Sequence, residues 1–135
     1  MIITSRLIAT GLRNDVAIQA ISGLKVYQRQ FPHKLEDFPF IMVTDETIDS
    51  EGEDISVQIN NLTVTIFTMR NTDDELEAIA SAVQNVVNGK SFSDAITGSK
   101  LTCRFQRTLE VETGELKMAP KPRAVALRYY VIKVD

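Results

Sequence analysis

The stretch Phe38-Pro39-Phe40-Ile41-Met42-Val43 constrains the fold more than any other six residues of this chain. On a two-residue period, Phe40 and Met42 fall on one face of a strand and Ile41 and Val43 on the other, so both faces need cover. Such a strand belongs inside a sheet. Pro39 agrees, because the first residue of a strand need not donate to the ladder. Directly after it, Asp45 to Asp54 holds six carboxylates, Asp45, Glu46, Asp49, Glu51, Glu53 and Asp54, and no Lys or Arg. A second strand pattern runs from Ser56 to Met69. Its phase changes at Asn60-Asn61, since Val57 and Ile59 are odd-numbered and Leu62, Val64 and Ile66 even, which predicts a β-bulge there. Residues 38–69 therefore read as a long hairpin with an acidic tip.

The strongest helix signal follows. Thr72-Asp73-Asp74-Glu75 is a capping box, in which the Thr72 hydroxyl accepts from the Glu75 amide while Glu75 reaches back. Leu76, Ile79, Ala80, Val83, Val86 and Val87 make one apolar stripe, and Asn88-Gly89 supplies the stop. The carboxylates at 73, 74, 75 and 77 suit the positive end of the helix dipole and need no catalytic role. Near the N-terminus, Ile3, Leu7, Ile8 and Leu12 recur at helical spacing, with Thr4 or Ser5 as the expected cap. Gly11 and Asn14-Asp15 interrupt that pattern, and Asp15 is placed to cap a second short helix. Leu24 to Arg29 reads as a short strand, and Phe31 to Asp37 as a loop. After a loop from Ser91 to Ser99, Leu101, Cys103, Phe105, Leu109 and Val111 alternate with polar residues. Following the loop Thr113 to Pro122, Val125, Leu127, Tyr129 and Val131 form the closing strand, with Arg128 and Tyr130 on its other face. The expected class is α+β: an antiparallel or mixed sheet with two main helices packed on one face, in the order α-β-β-β-α-β-β. The 135 residues, 44% hydrophobic and 24% charged, read as a single domain spanning 1–135.

The net charge of −3 conceals strong segregation. Residues 1–35 carry five basic and one acidic side chain, whereas residues 36–77 carry one basic and twelve acidic. Residues 78–99 balance, and residues 100–135 carry eight basic and four acidic. On a monomer these are solvated faces; between copies, complementary patches set register and partner choice.

Chemistry is sparse. The one histidine, His33, sits between Pro32 and Lys34 in a polar stretch, and the one cysteine, Cys103, alternates with apolar residues as a core side chain. One of each makes neither a zinc constellation nor a Cys-His or Ser-His-Asp arrangement. The acidic stretch fails the EF-hand spacing, with Gly52 too early and Gln58 where the closing Glu belongs. The basic residues are scattered without interleaved aromatics, against nucleic-acid binding by charge. No run reaches the roughly 18 apolar residues of a membrane span, and the first residues lack the apolar core of a secretory signal. No catalytic residue, metal or cofactor is expected.

The chain resembles the tail terminator, or tail completion, proteins of long-tailed bacteriophages. The likeness rests on the Phe38-Pro39-Phe40 strand entry, the acidic tip from Asp45 to Asp54, the strand ending Val64-Thr65-Ile66-Phe67, the Asp73-Asp74-Glu75-Leu76 helix start and the closing YYVIKVD. It implies a virion structural protein, assembled in the host cytoplasm, that forms a hexameric ring at the head-proximal end of the tail tube. The implied partners are other copies of the chain, the tail tube protein and a head-side connector or stopper, with DNA only in transit and no membrane. Candidate subunit-interface, tube-contact or channel-lining residues are Asp45, Glu46, Asp49, Glu51, Glu53, Asp54, Arg104, Lys117, Lys121 and Arg123. The alternative is a small α+β binding module or enzyme with a polar site at Asp45/Glu46 and Arg104/Arg107.

Overall fold

The computed structural model describes residues 2–21, 24–28, 39–47, 57–68, 73–93, 98, 100–111 and 123–134. Its helices are α1 (Ile2–Asn14), α2 (Val16–Gln19) and α3 (Asp73–Val87). Its strands are β1 (Lys25–Gln28), β2 (Phe40–Thr47), β3 (Val57–Thr68), β4 (Ser91–Ser93), β5 (Lys100–Val111) and β6 (Arg123–Val134). They form one sheet in the order β1-β2-β3-β6-β5-β4. β1 runs parallel to β2 and every other pair is antiparallel, so the sheet is mixed. The two hairpins, β2–β3 and β5–β6, are joined through β3 and β6, which pair along all twelve residues from Val57↔Val134 to Thr68↔Arg123. The expected α+β class is the observed one, with α2 and β4 added to the expected element order.

All three helices cover the same face of the sheet. Ile8 and Leu12 of α1, Ile18 of α2 and Leu76, Ile79, Val83 and Val87 of α3 are buried in one cluster with Ile41, Val43, Leu62, Val64, Ile66, Leu101, Cys103, Leu127, Tyr129 and Val131. Fully burying side chains of this size contributes about 1.5–3 kcal/mol each before entropy is counted, so this one-sided packing is what makes the helices stable. Where α3 ends, Gly89 adopts φ +71°, and its N–H donates to the Cys103 carbonyl at 2.7 Å. The Asn88-Gly89 stop thus also fastens the end of the helix to β5. Tyr129 reaches up from the sheet and donates its hydroxyl to Gln84 Oε1 at 2.7 Å, satisfying a buried phenol.

α1 begins at Ile2, so Thr4 and Ser5 lie inside it rather than at its cap. Ser5 is buried, and its hydroxyl accepts from Gln28 Nε2 at 2.8 Å, a tie from α1 to β1 in place of a capping bond. Asp15 does cap α2: the Ile18 N–H donates to Asp15 Oδ2 at 3.1 Å. The helix tolerates Gly11 because a Cβ there would stand 2.8 Å from Cε1 of Phe92, whose ring fills that space. Ser91–Ser93, expected as loop, is the short edge strand β4, which carries that ring.

The bulge is on a different strand from the one expected. β3 runs in unbroken register against both β2 and β6 through Asn60 and Asn61, with Glu46↔Asn61↔Tyr130 and Thr47↔Asn60↔Val131. No residue is inserted where the phase of its sequence changes. The irregularity falls instead on β5, between Phe105 and Arg107. Cys103 and Phe105 belong to the helix-covered side, but past the bulge Leu109 and Val111 stand opposite Ala126 and Ala124, on the other side. A second, smaller cluster covers that side at one end. Phe40 stacks on Phe67 with centroids 4.5 Å apart, Tyr27 meets Phe40 edge-on, and Ala124, Met42 and Val111 pack around them. β2 is therefore covered on both faces, as its apolar run requires. The Phe31–Asp37 loop with His33, the Thr72 cap, the tip 48–56 and the loop 113–122 lie outside the described residues.

Candidate interaction surface

Among the described residues, no helix covers the opposite face of the sheet. Along it the character changes from the aromatic cluster around Phe40 and Phe67, through Thr63 and Thr44, to a polar row in which Asn61, Tyr130 and Arg104 are successive cross-strand neighbours. Tyr130 is 43% exposed, the largest exposed aromatic among the described residues. One pair along the strands from this row, Arg107 of β5 stands opposite Arg128 of β6. Without the bulge, strict alternation would send Arg107 to the helix-covered side with Cys103 and Phe105; the extra residue turns it onto the same face as Arg104. Both Arg104 and Arg107 are exposed, and neither makes an ion pair among the described residues. Asn61 Oδ1 and Gln106 Oε1 are buried without a hydrogen-bond partner beside this patch.

The sheet edges are largely closed to further strands. On β1, the Arg13 guanidinium donates twice to the Val26 carbonyl, at 2.9 and 3.2 Å. On β5, Asn88 Oδ1 accepts from the Phe105 N–H at 2.9 Å, and the Cys103 backbone bonds to Gly89 and Lys90. A charged side chain on an edge, a bulge and a short covering strand are the ordinary means of blocking strand addition. Among the described residues, these edges are therefore more fully covered than the polar part of the face opposite the helices.

Of the residues singled out in the sequence, Arg104 lies exposed on this face, and Arg123 opens β6 opposite Thr68 at its other end. Asp45 and Glu46 are consecutive positions near the end of β2, in register with Leu62 and Asn61 respectively. Asp49, Glu51, Glu53, Asp54, Lys117 and Lys121 lie outside the described residues. The polar site imagined from Asp45/Glu46 and Arg104/Arg107 is not brought together: β2 and β5 are three strand spacings apart, about 14 Å. Tyr130, Arg128 and Asn61 were not among the candidates. Their signal was present only in the register, which a single strand's alternation does not reveal. Cys103 is fully buried, and burial pushes its thiol from 9.0 up to about 12. Burial, and secondarily Cys103, also raises Tyr129. Both are protonated packing groups at neutral pH, far from a nucleophile's requirements.

Three comparisons with known proteins bear on this arrangement. The family described as "Tail completion protein gp17" matches residues 6–119. Among solved structures, a chain of the "Virion of native gene transfer agent (GTA) particle" superposes with a TM-score of 0.75 at 16% identity, covering 97% of this chain and 94% of that one. At that identity the likeness is one of fold, and it extends over essentially the whole of both chains. A search of curated proteins finds no match. With most of its length matched, this chain belongs to the tail completion protein gp17 family and is a structural protein of a phage-type tail.

Proposed function

We propose that the protein assembles as a ring, hexameric in the complete particle, on the head-proximal end of a tail tube. There it ends tube polymerisation and presents the surface to which the head-side connector or stopper joins. The family match over residues 6–119 carries this reading. The segregated charge supports it, because a ring uses heterologous contacts in which one surface of each copy complements a different surface of the next. The proposed interface joins residues of 36–77 on one copy to residues of 1–35 or 100–135 on its neighbour. Carboxylates of the Asp45–Asp54 tip that are not engaged between copies would suit a channel through which DNA slides, since phosphates are repelled there.

The test is to make particles without the protein and image their tails. Tubes of uncontrolled length, with heads left unjoined, are the expected result, and labelled protein added back should appear only at the head-proximal end. Tails of normal length joined to heads in its absence would overturn the proposal.

A further inference from the structure

The outer edge of β5 is covered only over the first half of the strand. β4 pairs with Lys100 to Thr102, Gly89 and Lys90 bond to the Cys103 backbone, and Asn88 accepts from the Phe105 N–H. Up to that point the odd-numbered residues turn their backbone groups outward. The bulge then moves the phase by one residue. Arg107 stands opposite Arg128, and the alternation of an antiparallel ladder turns the N–H and C=O of Thr108 and Glu110 outward. Among the described residues nothing bonds to those backbone groups, and both residues are exposed. The bulge, the Asn88 cap and the covering strand, which blunt this edge, all lie before Arg107. Arg107 to Val111 is left as a short template for another strand.

That template is its own complement. Two copies laid antiparallel about a two-fold axis at Leu109 would exchange backbone bonds between Thr108 and Glu110 on each side of the axis. Leu109 then meets the partner's Leu109, Arg107 meets the partner's Val111, and the Thr108 hydroxyl can donate to the partner's Glu110. No like charges face each other. Leu109 and Val111 stand on the side of the sheet that carries the Phe40–Phe67 cluster, so the contact extends an apolar surface already present. A register centred on Thr108 would run the partner over the bulge and the capped Phe105. One centred on Glu110 would set two carboxylates directly opposite. We propose that residues 107–111 of β5 are a self-association edge, pairing antiparallel with the same edge of a second copy. The inference goes beyond the ring reading, since this contact is isologous and needs neither a tube nor a ring.

The full chain carrying Leu109→Cys, under mild oxidation, tests the register. Facing residues of a non-hydrogen-bonded pair have Cβ atoms about 4.5–5.5 Å apart, close to the span of a disulfide. A covalent dimer is expected, with little from Thr108→Cys or Val111→Cys; Cys103 is fully buried and does not compete. Glu110→Pro removes an outward N–H that is unbonded within the chain. It should leave the circular dichroism unchanged and weaken pairing by roughly tenfold in sedimentation equilibrium. Glu110→Gln relieves the two carboxylates set diagonally across the axis and should tighten pairing by about twofold. The pair should also persist at high salt, where charge-led ring contacts loosen. A monomer at every concentration with no crosslink at Leu109 would overturn the proposal. Equal crosslinking of all three cysteine variants would overturn it too, because random collision gives that result. If Glu110→Pro failed to fold, the crosslinking comparison would still decide. Normal tails made without the protein would remove the ring reading and leave this contact standing, so the two fail separately.

Discussion

Gly11 and Phe92 share a space that has no room for another atom. Substituting Gly11→Ala gains about 1 kcal/mol of helix propensity but places a Cβ 2.8 Å from the ring. Overpacking of this kind costs about 1–3 kcal/mol, so a net loss of stability is expected in urea melts, with Phe92→Leu restoring much of it. Additive effects of the two changes would show that the ring is not what excludes the methyl group. Val83 is the complementary case, a side chain with no exposure at the centre of the α3 stripe. Val83→Asp puts a charge beneath the sheet with no partner, and the expected outcome is loss of folded protein by circular dichroism. Cys103 is enclosed too, so a thiol reagent should modify it only at the rate of unfolding. Fast labelling of folded protein would contradict the packing described here.

Among the elements, α3 was the most legible, because a stripe at 3.6-residue spacing and an Asn-Gly stop are local signals. Gly89 confirms that stop with a positive φ; Gly89→Ala should cost about 1 kcal/mol in equilibrium unfolding from backbone strain, although a Cβ there meets nothing. β2 was legible from its unbroken apolar run, β6 from alternation, and the Asp15 cap from its position before Val16. What the residues did not disclose was relational. The parallel pairing of β1 with β2 leaves no mark in either strand. β4 is three residues long, too short for a period. The bulge on β5 hides because Cys103 and Leu109 are both odd-numbered, and the apolar alternation continues in phase although the face has changed. On β3 the reverse holds, and a change of phase without an insertion imitated a bulge. Arg13 offers an element-scale test. Arg13→Ala uncovers the Val26 carbonyl at the edge of β1 and should increase aggregation on mild heating more than it lowers stability.

For the molecule as a whole, two buried acids set the alkaline limit. Cys103 is held near 12 against an ordinary 9.0, and Tyr129 is raised as well. Below pH 9 these groups keep their protons in both states, and their contribution is fully present. Above it the unfolded chain releases protons that the folded chain retains, so stability falls by up to about 1.4 kcal/mol per pH unit for each group. Urea melts from pH 8 to 11 should show this decline, and Cys103→Ala should flatten its first part; an unchanged slope would mean that the thiol is less enclosed. Assembly should respond to salt, since exposed charges are screened over about 8–10 Å, and weaker self-association at higher ionic strength is the expected trend by sedimentation. The charge segregation behind that expectation was legible in the sequence, but the face on which each charge sits was not, because it depends on how two distant hairpins align. That alignment has a kinetic consequence. The sheet is joined at its centre by β3 and β6, whose paired residues, such as Thr68 and Arg123 or Val57 and Val134, are far apart along the chain. Contacts of such range are slow to form. Until residues 123–134 emerge from the ribosome, β3 and β5 lack their common neighbour, and the nascent chain offers two long open edges to other chains. The two hairpins therefore become one sheet only once residues 123–134 are available to pair with both β3 and β5.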